Sequence, residues 1–432
     1  MENELQLTSD QQRAYDLLKS GSNTFITGSA GTGKSVVVKK YIEEKSKEGK
    51  NVIVTAPTGI AAINIGGATF HSTFKYPIRP IVTTDDEYKE TRVKYAKVWD
   101  SVDIIVIDEI SMLKVDVFDL FIQQLQDIEK RQDRKIQLIM LGDFFQLAPV
   151  IGKYELDVLK LDYPNIKANY GFVFTSKYWM NIGLHGVILK QVIRQSDHEF
   201  IENLEKVKIG NVDGIRWINN HAKISKEWDG KSIILTCIKQ EAADINKERL
   251  DELDTQPYTI DGLMEVADGH SVNVQDLPND TQVTLKVGAR VMSLVNNKGQ
   301  GYQNGSLGTV LSISKSDIVK VKFDNGVTTE IEPYTWHLKK YEVDEKGRSR
   351  EIEYATFNQI PLKVAYAITI HKSQGQTYDS VIICPEKLFA PGQIYVALSR
   401  CRSIEGITLT SQIRENSRGL ANQVVKQFYG IK

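Results

Sequence analysis

The chain has 432 residues, 41% of them hydrophobic and 25% charged; at roughly 150 residues per domain it holds two or three buried cores, which excludes a small module or a disordered tail. Fifty-four Lys and Arg stand against 55 Asp and Glu, so no overall positive field announces a polyanion or a membrane, and any polyanion must be gripped by a local groove. Cys237, Cys384 and Cys401 are far apart and lack zinc spacing, the N-terminus is polar and acidic, and no apolar run nears the roughly 20 residues that span a bilayer; these features exclude a disulfide scaffold, a structural metal cluster and a membrane segment, and fit a cytoplasmic protein.

In chain order, apolar runs at residues 24–27, 51–56, 104–107 and 136–141 each stop at small, polar or acidic residues, with helix-period segments between them. This is how strands buried on both faces of a parallel α/β sheet read. The stretch 76–99 is polar, carries Asp85, Asp86 and Glu87, and reads as an insertion. A second set of buried strands is expected at 232–237, 366–370, 381–384 and 407–410. Between them, from about 257 to 354, short alternating segments punctuated by Asn304-Gly305 and Asn325-Gly326 predict antiparallel hairpins. The fold class is therefore α/β, two parallel-sheet domains with a small β domain inserted in the second. The expected boundaries are 1–183, with an insertion at about 64–99, then 184–256, 257–357 for the inserted β domain, and 358–432.

The run Gly28-Ser29-Ala30-Gly31-Thr32-Gly33-Lys34-Ser35 follows a strand, opens a helix and matches G-x-x-x-x-G-K-[ST]. Its glycines let backbone N–H groups turn toward one anion, and the helix N-terminus adds a positive dipole end. Lys34 can reach β and γ phosphates, while the Ser35 hydroxyl can ligate Mg²⁺. Gly28, Ala30, Gly31, Thr32, Gly33, Lys34 and Ser35 are thus the expected ATP-binding loop. Asp108 and Glu109 end the strand at 104–107, on the sheet edge where open α/β folds bind ligands. Asp108 is expected to hold Mg²⁺ and Glu109 to polarise a water for in-line attack on the γ-phosphorus. Ser9 with Gln12 forms a capping-box pattern.

The run Leu141-Gly142-Asp143-Phe144-Phe145-Gln146-Leu147, with Pro149 and Val150, is not explained by nucleotide binding alone. Together with Thr55-Ala56-Pro57-Thr58-Gly59-Ile60-Ala61-Ala62, Thr69-Phe70-His71-Ser72, Asp108-Glu109-Ile110-Ser111-Met112, Ile370-His371-Lys372-Ser373-Gln374-Gly375-Gln376-Thr377 and Tyr395-Val396-Ala397-Leu398-Ser399-Arg400, it resembles the ordered motifs of superfamily-one helicases, and within them the Pif-type family. The resemblance runs from Leu7 to Arg402. Asp116, Phe118 and Leu125 fit the family's stretch before GDFFQL; the family's glycine-containing approach is replaced by residues 131–138, and its asparagine after the strand at 233–236 by Cys237-Ile238-Lys239.

The resemblance implies two RecA-like motor domains and an SH3-like insertion, the latter through Gly288-Ala289-Arg290-Val291-Met292 and Asn304-Gly305-Ser306-Leu307-Gly308. It implies that Gln11 reads the adenine edge, that Gln146 links the γ-phosphate or attacking water to DNA, that Arg194 and Arg400 approach the γ-phosphate, and that Gly375 brings backbone near it. Candidate DNA contacts are Pro57, Thr58, His71, Ser72, Pro149, Val150, Thr236, Thr369, His371 and Lys372, whose hydroxyls and ring or ammonium nitrogens suit phosphate oxygens. For each hydroxyl, capping of a strand end or a helix is the alternative. The implied activity is ATP-driven, 5′ to 3′ movement on single-stranded DNA with unwinding of duplex, forked or G-quadruplex DNA, by a monomer or a DNA-induced dimer, nucleoid-associated in a bacterial-type cytoplasm. An RNA helicase and a nucleotide-controlled binding switch stand as alternatives, separated by the response to ribose 2′-hydroxyls and by stimulation of ATP turnover by DNA.

Overall fold

β-branched runs suit a pleated surface covered on both faces, and the four early ones become parallel strands. The computed structural model describes residues 7–431 apart from 85, 94–96, 194–196, 275–276, 344–348 and 418. Its first sheet holds β1 (Thr24–Gly28), β2 (Val52–Ala56), β3 (Ala68–Thr69), β4 (Ile104–Ile107), β5 (Gln137–Leu141) and β6 (His185–Leu189). The order is β3-β2-β4-β5-β1-β6, and every pair is parallel. Helices α1 (Ser9–Lys19) and α2 (Lys34–Lys47) supply Ala14, Leu18, Val37, Val38 and Tyr41 to a core shared with Ile26, Val54, Val106 and Ile139.

Three details of this unit differ from the sequence reading. β6 falls beyond the boundary expected at 183, yet it pairs with β1 along its length, because Val187 and Leu189 enter the same core. The capping box of α1 is set one residue earlier than Ser9 and Gln12: Thr8 Oγ1 accepts from Gln11 N at 3.3 Å, and Gln11 Oε1 accepts from Thr8 N at 3.0 Å. The insertion is fastened by rings rather than left as a polar loop. Phe74 lies 4.9 Å from Trp99, and Trp99 lies 5.4 Å from Phe121 of the helix Val115–Gln132. That helix ends where the family's glycine is replaced; Asp133 adopts the left-handed φ of 47° instead, and Arg134 then donates to the carbonyls of Trp99, Asp100 and Val102.

The chain divides into two units, Met1–Arg194 with Lys339–Ile352 and Ala421–Lys432, and Gln195–Leu338 with Glu353–Leu420. The last twelve residues thus belong with the first unit, although the sequence reading carried the second domain through 432. In the second unit a parallel sheet runs in the order Ala367–Thr369, Ile233–Thr236, Val381–Ile383, Ile407–Leu409, Lys223–Ile224. The antiparallel strands lie between Tyr258 and Val364 and enclose Val291, Val310, Val321 and Phe323. Asn325-Gly326 turns a hairpin between Val319–Phe323 and Thr328–Ile331 as expected. Asn304-Gly305 does not; it sits in the longer connection from Arg290–Ser293 to Leu307–Ile313, where Gly305 N donates to Ser293 O at 2.8 Å. Arg290 forks onto Asp324 with two 2.7 Å bonds.

Asp116, buried in the helix Val115–Gln132, accepts from Ile81 N at 2.8 Å, and burial pushes its pKa up to about 6. Between its unfolded value near 3.9 and that folded value the native state binds a proton that the unfolded chain releases, so this group stabilises at low pH and loses that contribution as pH rises through the folded pKa. Asp116→Asn is expected to gain roughly 1–3 kcal/mol of stability at about pH 8, about half as much at about pH 5 and little at about pH 4, read as unfolding midpoints. Equal gains at all three pH values would contradict the assignment.

Candidate functional site

β1 ends at Gly28 and α2 begins at Lys34, so residues 29–33 form the turn between a strand end and a helix N-terminus. Gly33, at the N-cap of α2, has φ +79°, and a Cβ there would meet Gln11 Nε2 at 2.5 Å. Lys34 Nζ donates to the carbonyls of Gly28 at 2.7 Å and Ser29 at 3.1 Å. Thr32 Oγ1 donates to Ser29 O at 3.0 Å, and both Ala30 and Thr32 are buried. Gly31 takes φ +81°, and its carbonyl accepts from Ile193 N at 2.9 Å, so the segment after β6 docks on the loop. Ile193 directly precedes Arg194, the expected γ-phosphate arginine, and sequence reasoning gave it no part of its own in the loop. Gln11 Nε2 donates to Thr32 O at 3.0 Å, placing the expected adenine reader against the loop with one amide donor on its backbone.

The end of β4 faces the same loop. Ser35 Oγ donates to Asp108 Oδ2 at 3.3 Å, and Glu109 N donates to Asp108 Oδ1 at 2.8 Å. Burial raises the Asp108 pKa; the Glu109 N–H, the Lys34 charge and the Ser35 hydroxyl pull it back. A buried carboxylate beside a hydroxyl is a pair of hard oxygen donors, the set that suits Mg²⁺, which completes its shell with water and phosphate oxygens. Among the described residues no group of three His, Cys, Asp or Glu side chains could hold a metal ion. Glu109 sits at φ 51°, a left-handed conformation uncommon outside glycine and of a kind that concentrates at functional sites.

β5 ends at Leu141, and Gly142 lets the chain pass Ile110 closely: a Cβ would meet Ile110 Cγ2 at 2.9 Å. Asp143 Oδ1 then accepts from Phe145 N at 3.1 Å, and Gln146 N donates to Asp143 O at 2.9 Å. This tight turn holds Gln146, 5% exposed, at the carboxyl end of a strand that neighbours both β1 and β4. Lys34, Ser35, Asp108, Glu109 and Gln146 are therefore carried by adjacent strand ends of one sheet.

The DNA candidates of the first unit are Pro57, Thr58, His71, Ser72, Pro149 and Val150. Thr58 Oγ1 accepts from Ala61 N at 3.3 Å, a helix-start cap, while Ser72 is exposed and donates to Thr69 O at 3.0 Å. Pro149 is buried and Val150 exposed. Burial pushes His71 down to about 4, so it is neutral near pH 7 and, of the charge or directional hydrogen bonds open to it, offers the hydrogen bonds. Arg194 lies outside the described residues.

In the second unit Thr236 and Thr369 are register partners at adjacent strand ends, and both are buried. Thr236 Oγ1 donates to Ile238 O at 3.3 Å, and Thr369 Oγ1 accepts from Lys372 N at 3.3 Å. Burial also lowers the His371 pKa, while Lys372 is exposed, and Gly375 turns the chain at φ +80°. Arg400 is 1% exposed; it donates to Val396 O at 2.8 Å, Ser373 O at 3.0 Å, Gln376 O at 3.1 Å and Ser399 Oγ at 2.8 Å. It clasps the 373–376 turn within its own unit.

Residues 6–220 match the family described as PIF1-like helicase. The chain is 32% identical to the ATP-dependent DNA helicase Pif1 of Bdellovibrio bacteriovorus, over 94% of its own length and 88% of that protein. It is 27% identical to the Campylobacter jejuni protein of the same name, covering 93% and 90% of the two chains. Against the Xenopus laevis ATP-dependent DNA helicase PIF1 it is 32% identical and spans 65% of the longer protein. Among solved structures, Bacteroides Pif1 in complex with ADP-AlF4 superposes with a TM-score of 0.84 at 35% identity, covering 99% of this chain and 97% of that one. Bacteroides Pif1 bound to single-stranded DNA gives 0.62 at 36% identity, with 95% and 94% covered. A structure of two coordinating Pif1 helicases on forked double-stranded DNA gives 0.65 at 34%, with 99% and 97% covered.

With burial pushing the His71 pKa down to about 4, the histidine NMR resonance that His71→Asn removes should stay unchanged from about pH 6 to 8. A His71 midpoint near 6.5 would contradict the burial argument.

Proposed function

Because the chain belongs to the PIF1-like helicase family and is an ATP-dependent DNA helicase, we propose that it moves 5′ to 3′ along single-stranded DNA and opens forked duplexes and G-quadruplexes ahead of it. The observation that carries the hydrolytic half is the meeting of the phosphate loop, the Asp108-Glu109 pair and the Asp143–Gln146 turn at neighbouring strand ends.

In this reading the loop N–H groups and the α2 N-terminus cradle the phosphates, and Lys34 exchanges the carbonyls of Gly28 and Ser29 for phosphate oxygens. Gln11 positions adenine through its second amide proton and the remaining lone pair of an amide oxygen that also accepts from Thr8 N. Ser35 and Asp108 would hold Mg²⁺, which supplies neutralisation of phosphate charge when bound. Glu109 accepts a proton from the attacking water, and Gln146 orients that water. Arg194 and Arg400 are the cations proposed to meet charge gathering on the γ-phosphoryl group; for Arg400 this requires its guanidinium to leave the Ser373 and Gln376 carbonyls. Release of that clasp frees the turn between His371 and Gln376, which carries the proposed strand contacts His371 and Lys372. Phosphate sensing and DNA grip are thereby tied through one side chain.

The strand is held by Pro57, Thr58, His71, Ser72, Pro149 and Val150 on the first unit and Thr236, Thr369, His371 and Lys372 on the second. Hydrogen-bonding groups outnumber charges in this set, so binding should lose less affinity with salt than a groove of six to ten Lys and Arg contacts.

ATP turnover measured with and without a short oligothymidine strand tests the reading. A rise on the order of a hundredfold, absent in Lys34→Ala, is expected of a coupled motor. DNA-independent turnover would instead favour a slow nucleotide switch. On tailed duplexes, unwinding only from a 5′ single-stranded tail supports the proposed polarity, and unwinding only from a 3′ tail contradicts it.

A further inference from the structure

The helix Gln423–Phe428 and the residues after it pack in the first unit, in a segment that no motif marks. Phe428 seats this segment: its ring lies 5.4 Å from Phe144 and 4.4 Å from Phe174, while Val425 is fully buried. The next residue, Tyr429, reaches neighbours of both the phosphate loop and the Asp143–Gln146 turn. Its ring stacks on Phe145 with centroids 5.2 Å apart and planes 16° apart, and its hydroxyl hydrogen-bonds Thr27 Oγ1 at 3.0 Å.

Each partner adjoins a group of the hydrolytic site. Thr27 precedes Gly28, whose carbonyl holds Lys34 Nζ, and Phe145 precedes Gln146. The backbone ladder between β1 and β5 stops at Ile26 and Leu141, with one further bond from Gly142 N to Ile26 O. Beyond that point the two chains diverge, one into the phosphate loop and one into the Asp143–Gln146 turn. Tyr429 ties them together where the ladder has ended. A ring alone would fill the space beside Phe145; a phenol that also reaches the hydroxyl of buried Thr27 is a two-point brace.

We propose that Tyr429 is a positioning residue for ATP hydrolysis, fixing Gln146 relative to the phosphate loop through Phe145 and Thr27. The inference rests on the roles proposed above for Lys34 and Gln146. Small displacements of a group that orients the attacking water cost up to a hundredfold in rate, and the loss falls on the chemical step more than on nucleotide affinity.

The test is DNA-stimulated ATP turnover of full-length Tyr429→Phe and Tyr429→Ala, each alone and combined with Gln146→Ala, with thermal unfolding followed alongside. Tyr429→Ala should lower kcat about tenfold with KM for ATP within about twofold, and Tyr429→Phe, which keeps the stack, should fall between it and the parent. In the Gln146→Ala background either substitution should cost less than about twofold more, because its target is already gone. Tyr429→Phe decides the matter if the alanine variant fails to fold. Parental kcat in Tyr429→Phe and Tyr429→Ala, or the same loss with and without Gln146, overturns the inference while leaving the motor reading intact. An unsubstituted chain without DNA-stimulated turnover overturns that reading and the inference with it.

Discussion

A carboxylate at the end of a fully buried strand is the constraint around which the first unit is arranged. Ile104, Ile105, Val106 and Ile107 are all buried, and they carry Asp108 into an environment that disfavours its charge. Four groups offset part of that penalty: the Glu109 N–H, the field of Lys34, the Ser35 hydroxyl and the field of Lys39. Lys34 and Ser35 come from the phosphate loop. The loop and the acidic strand end therefore stabilise each other before any nucleotide arrives, and in the proposed reading Asp108 and Ser35 would hold the divalent cation.

Neighbouring features follow from keeping that edge compact. Gly142 allows β5 to end against Ile110, so the turn bearing Gln146 reaches the edge that carries Asp108. The aromatic group around Phe144, built from Phe25, Phe172, Phe174, Trp179 and Phe428, gives that turn a rigid floor. In the second unit Arg400 plays an analogous organising part, its planar donors fixing the carbonyls of the 373–376 turn. Gln376 in turn donates to Asn304 Oδ1 at 3.3 Å, linking that turn to the antiparallel strands.

Much of this was legible in the sequence, because the signals are local. The β-branched runs, the loop's glycines with Lys34 and Ser35, and the Asp108-Glu109 pair each read from a few adjacent residues, and the strands and the edge grouping are where those signals place them. What was not legible depends on contacts distant in sequence. β6 and the last twelve residues were assigned by chain order to the second domain, but hydrophobic pairing with β1 and ring packing with Phe144 and Phe174 hold them in the first unit. Nothing in Tyr429's neighbours marks it, since its partners Thr27 and Phe145 lie hundreds of residues earlier. The lowered pKa values of His71 and His371 were equally hidden, because burial, not residue type, produces the shift. Asn304-Gly305 misled in the opposite way: the dipeptide suits a tight turn, but here it serves a longer connection whose register is set elsewhere.

The central claim is that Asp108 and Ser35 form one oxygen site shared by strand and loop. Calorimetric titration with a non-hydrolysable ATP analogue, with and without Mg²⁺, tests it most directly in the parent chain and in Asp108→Asn. Mg²⁺ should tighten binding by about tenfold or more in the parent and have little effect in the variant, whose amide keeps the shape but loses the charge. A Mg²⁺ effect of equal size in both proteins would contradict the account.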